Sequence, residues 1–202
     1  KFICASNRNN VLTDFINSGR YDLNRDFSAT ISPSMDILIS SNLERFLYEL
    51  SGRNPQTVTE LMQELKTTGA YEITPGMKAG MANFYGNFAD DSETVQTIGQ
   101  LYSDYGYVVD THTAVGYRVY QKYAEESGDT TPALIASTAS PFKFGRSVAE
   151  GIGIETEGRS DFELIDLLSK YSGLKVPDPI RGIADRPVLH PDTCRTDEMK
   201  AA

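Results

Sequence analysis

Three short apolar segments in this sequence each run through a small polar turn into a helix, and this recurring unit restricts the possible folds. The units lie at residues 5–11, 109–115 and 136–142. Helices that connect short buried strands favour a parallel α/β sheet, whose ligands bind beyond the carboxyl ends of the strands. Each turn also offers free backbone N–H groups at a helix N-terminus, which suit an anion. The sequence therefore predicts an α/β small-molecule protein with its site at the three turns.

Helical periodicity and capping signals give the remaining elements. Capping boxes are predicted at Ser41 with Glu44, at Thr57 with Glu60, and at Ser160 with Glu163. Residues 20–40 are predicted to be irregular, and the glycine-rich residues 74–90 to be mobile. The predicted strands are residues 2–5, 107–109 and 133–136, and the predicted helices begin near residues 11, 41, 57, 92, 111, 140 and 160.

Charge and residue counts exclude several classes of function. The chain has 28 Asp and Glu against 19 Lys and Arg, a net charge of −9, which argues against nucleic acids and anionic membrane surfaces as partners. No apolar run approaches the roughly 20 residues of a membrane span. Two cysteines and two histidines predict neither a disulfide framework nor a metal site, and favour the cytoplasm. Because the chain starts without Met, we expect it to begin inside a longer protein.

Polar side chains at the turns have both structural and chemical interpretations. Asn7 and Asn10 either cap the first helix or contact a ligand. His112 is either a buried structural histidine or an acid, base or phosphate contact. Lys143 is either solvated or bound to a phosphate. The residues show no phosphate-binding glycine loop, no metal-ligand pair and no catalytic serine elbow.

Five ordered sequence blocks make the set of turns more specific than each turn alone. Together they resemble the threonine synthase family, in the branch shared by bacteria and fungi. The blocks are Ala5-Ser6-Asn7-Arg8-Asn9-Asn10-Val11-Leu12, Thr30-Ile31-Ser32-Pro33-Ser34-Met35-Asp36-Ile37, Ser40-Ser41-Asn42-Leu43-Glu44-Arg45, Asp110-Thr111-His112-Thr113-Ala114-Val115 and Ser137-Thr138-Ala139-Ser140-Pro141-Phe142-Lys143-Phe144.

The resemblance implies a fold, a reaction and a cofactor. The fold is the tryptophan-synthase β type of pyridoxal phosphate enzymes, here in part, with short parallel strands and flanking helices. The reaction converts O-phospho-L-homoserine and water into L-threonine and phosphate. The family's Schiff-base lysine and glycine-rich phosphate cradle lie upstream of Lys1. This chain is therefore expected to be the C-terminal part of the enzyme and to be inactive alone.

The resemblance also implies roles for particular residues. Thr138 stands where the family places a hydroxyl against the pyridine nitrogen of the cofactor, and a neutral partner there moderates the electron sink. Asn7 and Asn10 are expected to contact the cofactor. The residues expected to bind the substrate are Ser32, Ser34, Asp36, His112 and Lys143. Many family members carry His at the position of Ser140.

The domain organisation and partners follow from the same resemblance. Residues 1–150 are expected to form part of the cofactor-binding α/β domain, with helical insertions at about 41–105, and residues 151–202 a C-terminal helix and a proline-rich tail. The expected partners are O-phospho-L-homoserine and the N-terminal half of the enzyme, and the isolated segment is expected to self-associate. One alternative is a stand-alone, non-catalytic module that binds a phosphorylated small molecule. Another is a complete enzyme that uses Lys143 as the Schiff base.

Overall fold

A computed structural model describes residues 1–199 of the chain as an α/β protein with short strands and flanking helices. This confirms the predicted fold class. The strands are β1 (Phe2–Ser6), β2 (Arg20–Asp22), β3 (Ala70–Glu72) and β4 (Phe84–Phe88). The helices are α1 (Val11–Ser18), α2 (Leu43–Leu50), α3 (Pro55–Thr68), α4 (Pro75–Ala79), α5 (Asp91–Tyr105), α6 (Thr111–Ser127), α7 (Gly145–Gly151) and α8 (Asp161–Ser172).

The strands described in residues 1–199 form two sheets of two strands each. Strands β1 and β4 run parallel, with Phe2 opposite Phe84 and Ser6 opposite Phe88. Strands β2 and β3 run antiparallel, with Tyr21 opposite Tyr71. The parallel pair carries the turn after β1 and therefore positions the first of the three predicted turns.

One edge of the parallel pair is covered by side chains. Alternate carbonyls of a strand point to opposite sides, and those of Gly86 and Phe88 point away from β1. Asn17 Nδ2 donates to the Gly86 carbonyl at 3.2 Å, and Lys122 Nζ donates to the Phe88 carbonyl at 2.8 Å. In the part of the chain that the structure describes, β1 has no strand partner on its other edge.

Residues 74–90 contain β4, which is the partner of β1, so the prediction of a mobile segment was wrong. The glycine that suggested mobility is required for packing. A Cβ on Gly86 would lie 3.1 Å from Ile16 Cβ and 3.2 Å from Thr13 Cα. Gly86 thus lets α1 lie close against the strand.

Two predicted strands are not strands in the structure, and three strands that were not predicted, β2, β3 and β4, are present. Val108 and Val109 are buried in a core cluster, but residues 107–109 pair with no strand in the described part of the chain. Residues 133–136 likewise form no strand among residues 1–199, and Leu134 is fully exposed. Residues 20–22, expected to be irregular, form β2. Apolar character alone indicated burial, whereas strand pairing depends on distant chain segments.

The capping signals were partly confirmed. The box of Ser160 with Glu163 forms as predicted, and Ser140 Oγ accepts from the Phe142 N–H at 3.3 Å. The boxes at Ser41 and Thr57 were wrong, because α2 and α3 begin after Asn42 and Asn54 instead. A further box, Asp90 with Glu93, starts α5.

Two main core clusters hold these elements together. In the first, α1, β2, β3 and the helices from α2 to α4 bury the side chains of Val11, Phe15, Tyr21, Leu47, Leu61, Tyr71 and Met77. In the second, α5, α6 and α7 pack with α8 through Ile98, Leu101, Ala114, Val148 and Leu168. The division at residue 150 stays a prediction. From residue 181 to 199 every residue is exposed.

Replacing Tyr71 with phenylalanine is expected to raise the free energy of unfolding by about 1 kcal/mol, because the buried Tyr71 hydroxyl has no hydrogen-bond partner within residues 1–199. The ring of Tyr21 stacks on it at 5.3 Å between centroids, but the Tyr21 hydroxyl donates to the Leu38 carbonyl at 2.6 Å and accepts from the Ser40 N–H. Tyr21→Phe is the matched control and should lower stability by about 1 kcal/mol. Urea denaturation measures the free energy of unfolding of both variants. An equal loss of stability in the two would contradict the conclusion that the Tyr71 hydroxyl lacks a partner.

Candidate functional site

The turn after β1 is a buried polar junction in which Asn7 is 1% exposed. Asn7 Nδ2 donates to Asp36 Oδ1 at 2.7 Å and to Thr30 Oγ1 at 2.8 Å. Asn7 Oδ1 accepts from the Asn9 backbone N–H at 2.9 Å. The amide of Asn7 therefore joins the end of β1 to the loop at residues 28–36.

Asp36 is the acceptor at the centre of this junction. Besides Asn7, its Oδ1 accepts from Asn9 Nδ2 at 2.9 Å and from Thr30 Oγ1 at 2.7 Å. Its Oδ2 accepts from the Thr30 backbone N–H at 2.9 Å. Both carboxylate oxygens are engaged inside the protein, so Asp36 fixes the loop against the end of β1.

The second turn is organised by Asp110, which is 1% exposed at the N-terminus of α6. Asp110 Oδ1 accepts from the backbone N–H groups of His112 and Thr113 at 2.9 and 3.3 Å. The Thr113 hydroxyl donates to Asp110 Oδ2, and Ser137 Oγ lies 3.0 Å from Thr113 Oγ1. These contacts bring the second and third turns together.

The imidazole of His112 connects the second and third turns with the loop at residues 28–36. His112 Nδ1 lies 3.1 Å from Asp110 Oδ1, and Nε2 accepts from the Ser34 backbone N–H at 3.0 Å. The ring also packs on Phe144, with 4.6 Å between ring centroids. His112 thus contacts the loop at residues 28–36, the start of α6 and the turn at Pro141–Phe144.

A cavity of about 780 Å³ opens where these turns meet. Four of the predicted site residues line it together, although they come from three separate parts of the sequence. They are Ser34, His112, Thr138 and Lys143. Its apolar side is formed by β1 and by residues 132–136.

The other four predicted site residues do not line this cavity. Asn7, Ser32 and Asp36 belong to the junction beside it. Asn10 Oδ1 accepts from Arg25 Nη1 at 3.0 Å, and Arg25 also pairs with Asp14 at 2.9 Å. Direct contact of these four with a cofactor or substrate stays a prediction.

The charge of the cavity is opposite to that of the chain. Lys1 and Lys143 are in its lining, and none of the described lining residues is Asp or Glu. Lys143 Nζ lies 5.4 Å from the centre of the Phe144 ring and has no hydrogen bond or ion pair within residues 1–199. An acid-free cavity with an unpaired ammonium group suits an anionic ligand.

Sequence reasoning missed Gly116 and Tyr120, which also line the cavity. Both follow His112 on α6 at spacings of four residues, which places the three on one helix face. Following the four-residue spacing along α6 from His112 would have identified Gly116 and Tyr120 from the sequence.

Neither a metal site nor a membrane span is found in the described residues. No group of three or more His, Cys, Asp or Glu side chains is placed to hold a metal ion in residues 1–199. Within the same residues, no helix combines the length and apolar character that crossing a bilayer requires.

Comparison with known proteins points to one family. Residues 113–187 match the family model described as threonine synthase, C-terminal. The chain is 36% identical over 176 residues to threonine synthase-like 1 from Homo sapiens, covering 86% of this chain and 23% of that protein. It is 35% identical over 155 residues to threonine synthase from Pseudomonas aeruginosa, covering 76% of this chain and 32% of that protein.

Solved structures give the same relationship. Pyridoxal-phosphate-bound threonine synthase from Brucella melitensis matches with a TM-score of 0.70 and 35% identity, covering 86% of this chain and 36% of that chain. Threonine synthase from yeast matches with a TM-score of 0.72 and 31% identity, covering 87% and 38%. The chain therefore spans about a quarter to a third of the length of the curated relatives named above.

Proposed function

Because this chain belongs to the threonine synthase family, we propose that its cavity forms part of a site that converts O-phospho-L-homoserine and water into L-threonine and phosphate. The single observation that supports this is the convergence of Ser34, His112, Thr138 and Lys143 on one acid-free cavity. The substrate is an anion at its phosphate, and the unpaired Lys143 ammonium is the cation best placed to receive it.

The residues present fit one part of pyridoxal phosphate, the cofactor of this family. The Thr138 hydroxyl lines the cavity and has no hydrogen-bond partner within residues 1–199. A hydroxyl donates to a pyridine nitrogen without placing a charge beside it. When bound, the cofactor supplies an electron sink for carbanion chemistry. Thr138 would moderate that sink, while Ser34 and Lys143 orient the phosphorylated substrate.

We assign the lysine that holds the cofactor covalently to another part of the whole protein, so the chain alone is inactive. The N-terminal half of such an enzyme is then its partner, and the cytoplasm its compartment. Phe2 is 66% exposed and Leu134 101% exposed beside the cavity, which supports the expectation that the isolated chain self-associates.

Replacing Lys143 with glutamine is expected to weaken binding of O-phospho-L-homoserine about tenfold, because a charge-assisted contact to the phosphate is lost. Isothermal titration calorimetry with the full-length protein, without cofactor so that no turnover occurs, measures this effect. Lys66→Gln is the matched control, since Lys66 is exposed on α3 away from the cavity, and it should leave the affinity unchanged.

Turnover distinguishes a catalytic enzyme from a non-catalytic module that binds a phosphorylated small molecule. The full-length protein is expected to release L-threonine and phosphate from O-phospho-L-homoserine when the cofactor is supplied. Binding that depends on Lys143 but gives no turnover would favour a non-catalytic module for a phosphorylated ligand. Equal affinities of Lys143→Gln and Lys66→Gln would remove the cavity as the phosphate site.

A further inference from the structure

We propose that His112 is a positioning residue that holds the turn at Pro33–Met35 over the cavity, and that it does not contact the ligand phosphate. The inference deepens the proposed function and rests on it for the identity of the ligand. The contact itself is observed in the structure, where the Ser34 backbone N–H donates to His112 Nε2 at 3.0 Å.

The donors and acceptors around the ring determine which nitrogen carries the proton. A backbone N–H only donates, so Nε2 must present its lone pair to Ser34. The single proton of the neutral ring is then on Nδ1, where it faces Asp110 Oδ1 at 3.1 Å. Asp110 is in turn held by the N-terminal backbone of α6. In this tautomer His112 has no N–H left to offer a phosphate.

We call the contact between the Ser34 N–H and His112 the clamp. It acts on Ser34 alone, because Ser32 is held by Asn7 and Met35 packs against a separate core cluster. The carboxylate of Asp36 holds the loop through Asn7, Asn9 and Thr30. Ser34 itself is exposed and its side chain makes no hydrogen bond within residues 1–199. His112 therefore fixes the point from which the Ser34 hydroxyl reaches the cavity.

The contact requires a lone pair on Nε2, since an N–H at that atom would face another donor. Three charged groups surround the ring. Asp110 lies at the start of its own helix, and Lys143 and Lys1 line the same cavity from the third turn and from the residue before β1. The Asp36 carboxylate lies farther along the loop and is already satisfied from within the protein.

The direct test is amide hydrogen exchange at Ser34, followed without ligand in the full-length protein. At about pH 8, His112→Ala should speed exchange of the Ser34 amide about tenfold, because its acceptor is lost. His112→Gln should stay within about threefold of wild type, since Gln Oε1 replaces Nε2 as an acceptor. The amide of Val119, buried in α6, should be unchanged in both variants and reports any wider unfolding. Equal protection of the Ser34 amide in wild type and His112→Ala would overturn the inference.

Ligand binding then separates this inference from the proposed function. With O-phospho-L-homoserine as the probe, His112→Ala and Ser34→Ala should weaken binding by similar factors, and the double variant should lose no more than either alone. If His112→Gln preserves Ser34 protection yet binds as weakly as His112→Ala, the ring contacts the ligand and the inference is wrong. If exchange behaves as expected but no variant changes binding, the clamp stands and the proposed function fails at this cavity.

Discussion

Replacing Asp36 with alanine is expected to lower the free energy of unfolding by about 3 kcal/mol, because donors at the end of β1 lose their common acceptor. The side-chain amides of Asn7 and Asn9 and two groups of Thr30 all donate to this carboxylate. Asn7 is buried, so water cannot replace the lost partner without rearrangement. Urea denaturation monitored by circular dichroism measures the loss.

A matched control is available ten residues earlier. Asp26 is exposed and makes no hydrogen bond or ion pair within the described residues, so Asp26→Ala should change stability by less than about 0.5 kcal/mol. Asp36→Asn should fall between the two, since it keeps one acceptor oxygen but turns an NH₂ group toward other donors. A loss below 1 kcal/mol for Asp36→Ala would show that the loop is not anchored by this carboxylate.

Replacing Gly99 with alanine is expected to cost about 2 kcal/mol, because the added methyl group has no space between α5 and α7. A Cβ at this position would lie 2.7 Å from the Gly151 carbonyl oxygen, a backbone atom that cannot move aside alone. Gly151 is equally crowded, since its Cβ would lie 2.8 Å from Ile98 Cγ2. The two glycines let the helices cross at close range.

Gly116→Ala is the control for this substitution. Gly116 lies within α6, and its Cβ would lie 3.6 Å from Ile135 Cγ2, an ordinary contact. Alanine is the better helix former, so this variant should gain up to about 1 kcal/mol. Thermal unfolding of both variants reports the difference, and a gain in stability for Gly99→Ala would exclude the close crossing.

The sequence predicted most helices because their signals are local. Apolar spacing and a terminal glycine specify α1 and α8, each of which ends at a left-handed glycine, Gly19 and Gly173. Strand β4 was missed because Phe84–Phe88 contains a glycine and an asparagine, which are rare in strands. Its conformation depends instead on pairing with β1, more than 75 residues away in the sequence.

The sequence indicated which residues lie near the site, but not which of their side chains reach the cavity. The second and third turns meet beside β1 at the cavity, although the segments predicted as strands before those two turns are not strands. Residue type does not distinguish an amide that binds a ligand from one that supports a loop. Asn7 and Lys143 were both candidates, yet the first is consumed by internal hydrogen bonds and the second is free in the cavity lining.

The side chains that cover the outer carbonyls of β4 make the two edges of the parallel pair different. Asn17 and Lys122 occupy the acceptors that an incoming strand would need on that side. The edge of β1 carries no such block within residues 1–199. A further strand could therefore pair with this sheet along β1 but not along β4. In Lys122→Ala the Phe88 carbonyl would lose its donor, while Asn17 would still occupy the Gly86 carbonyl.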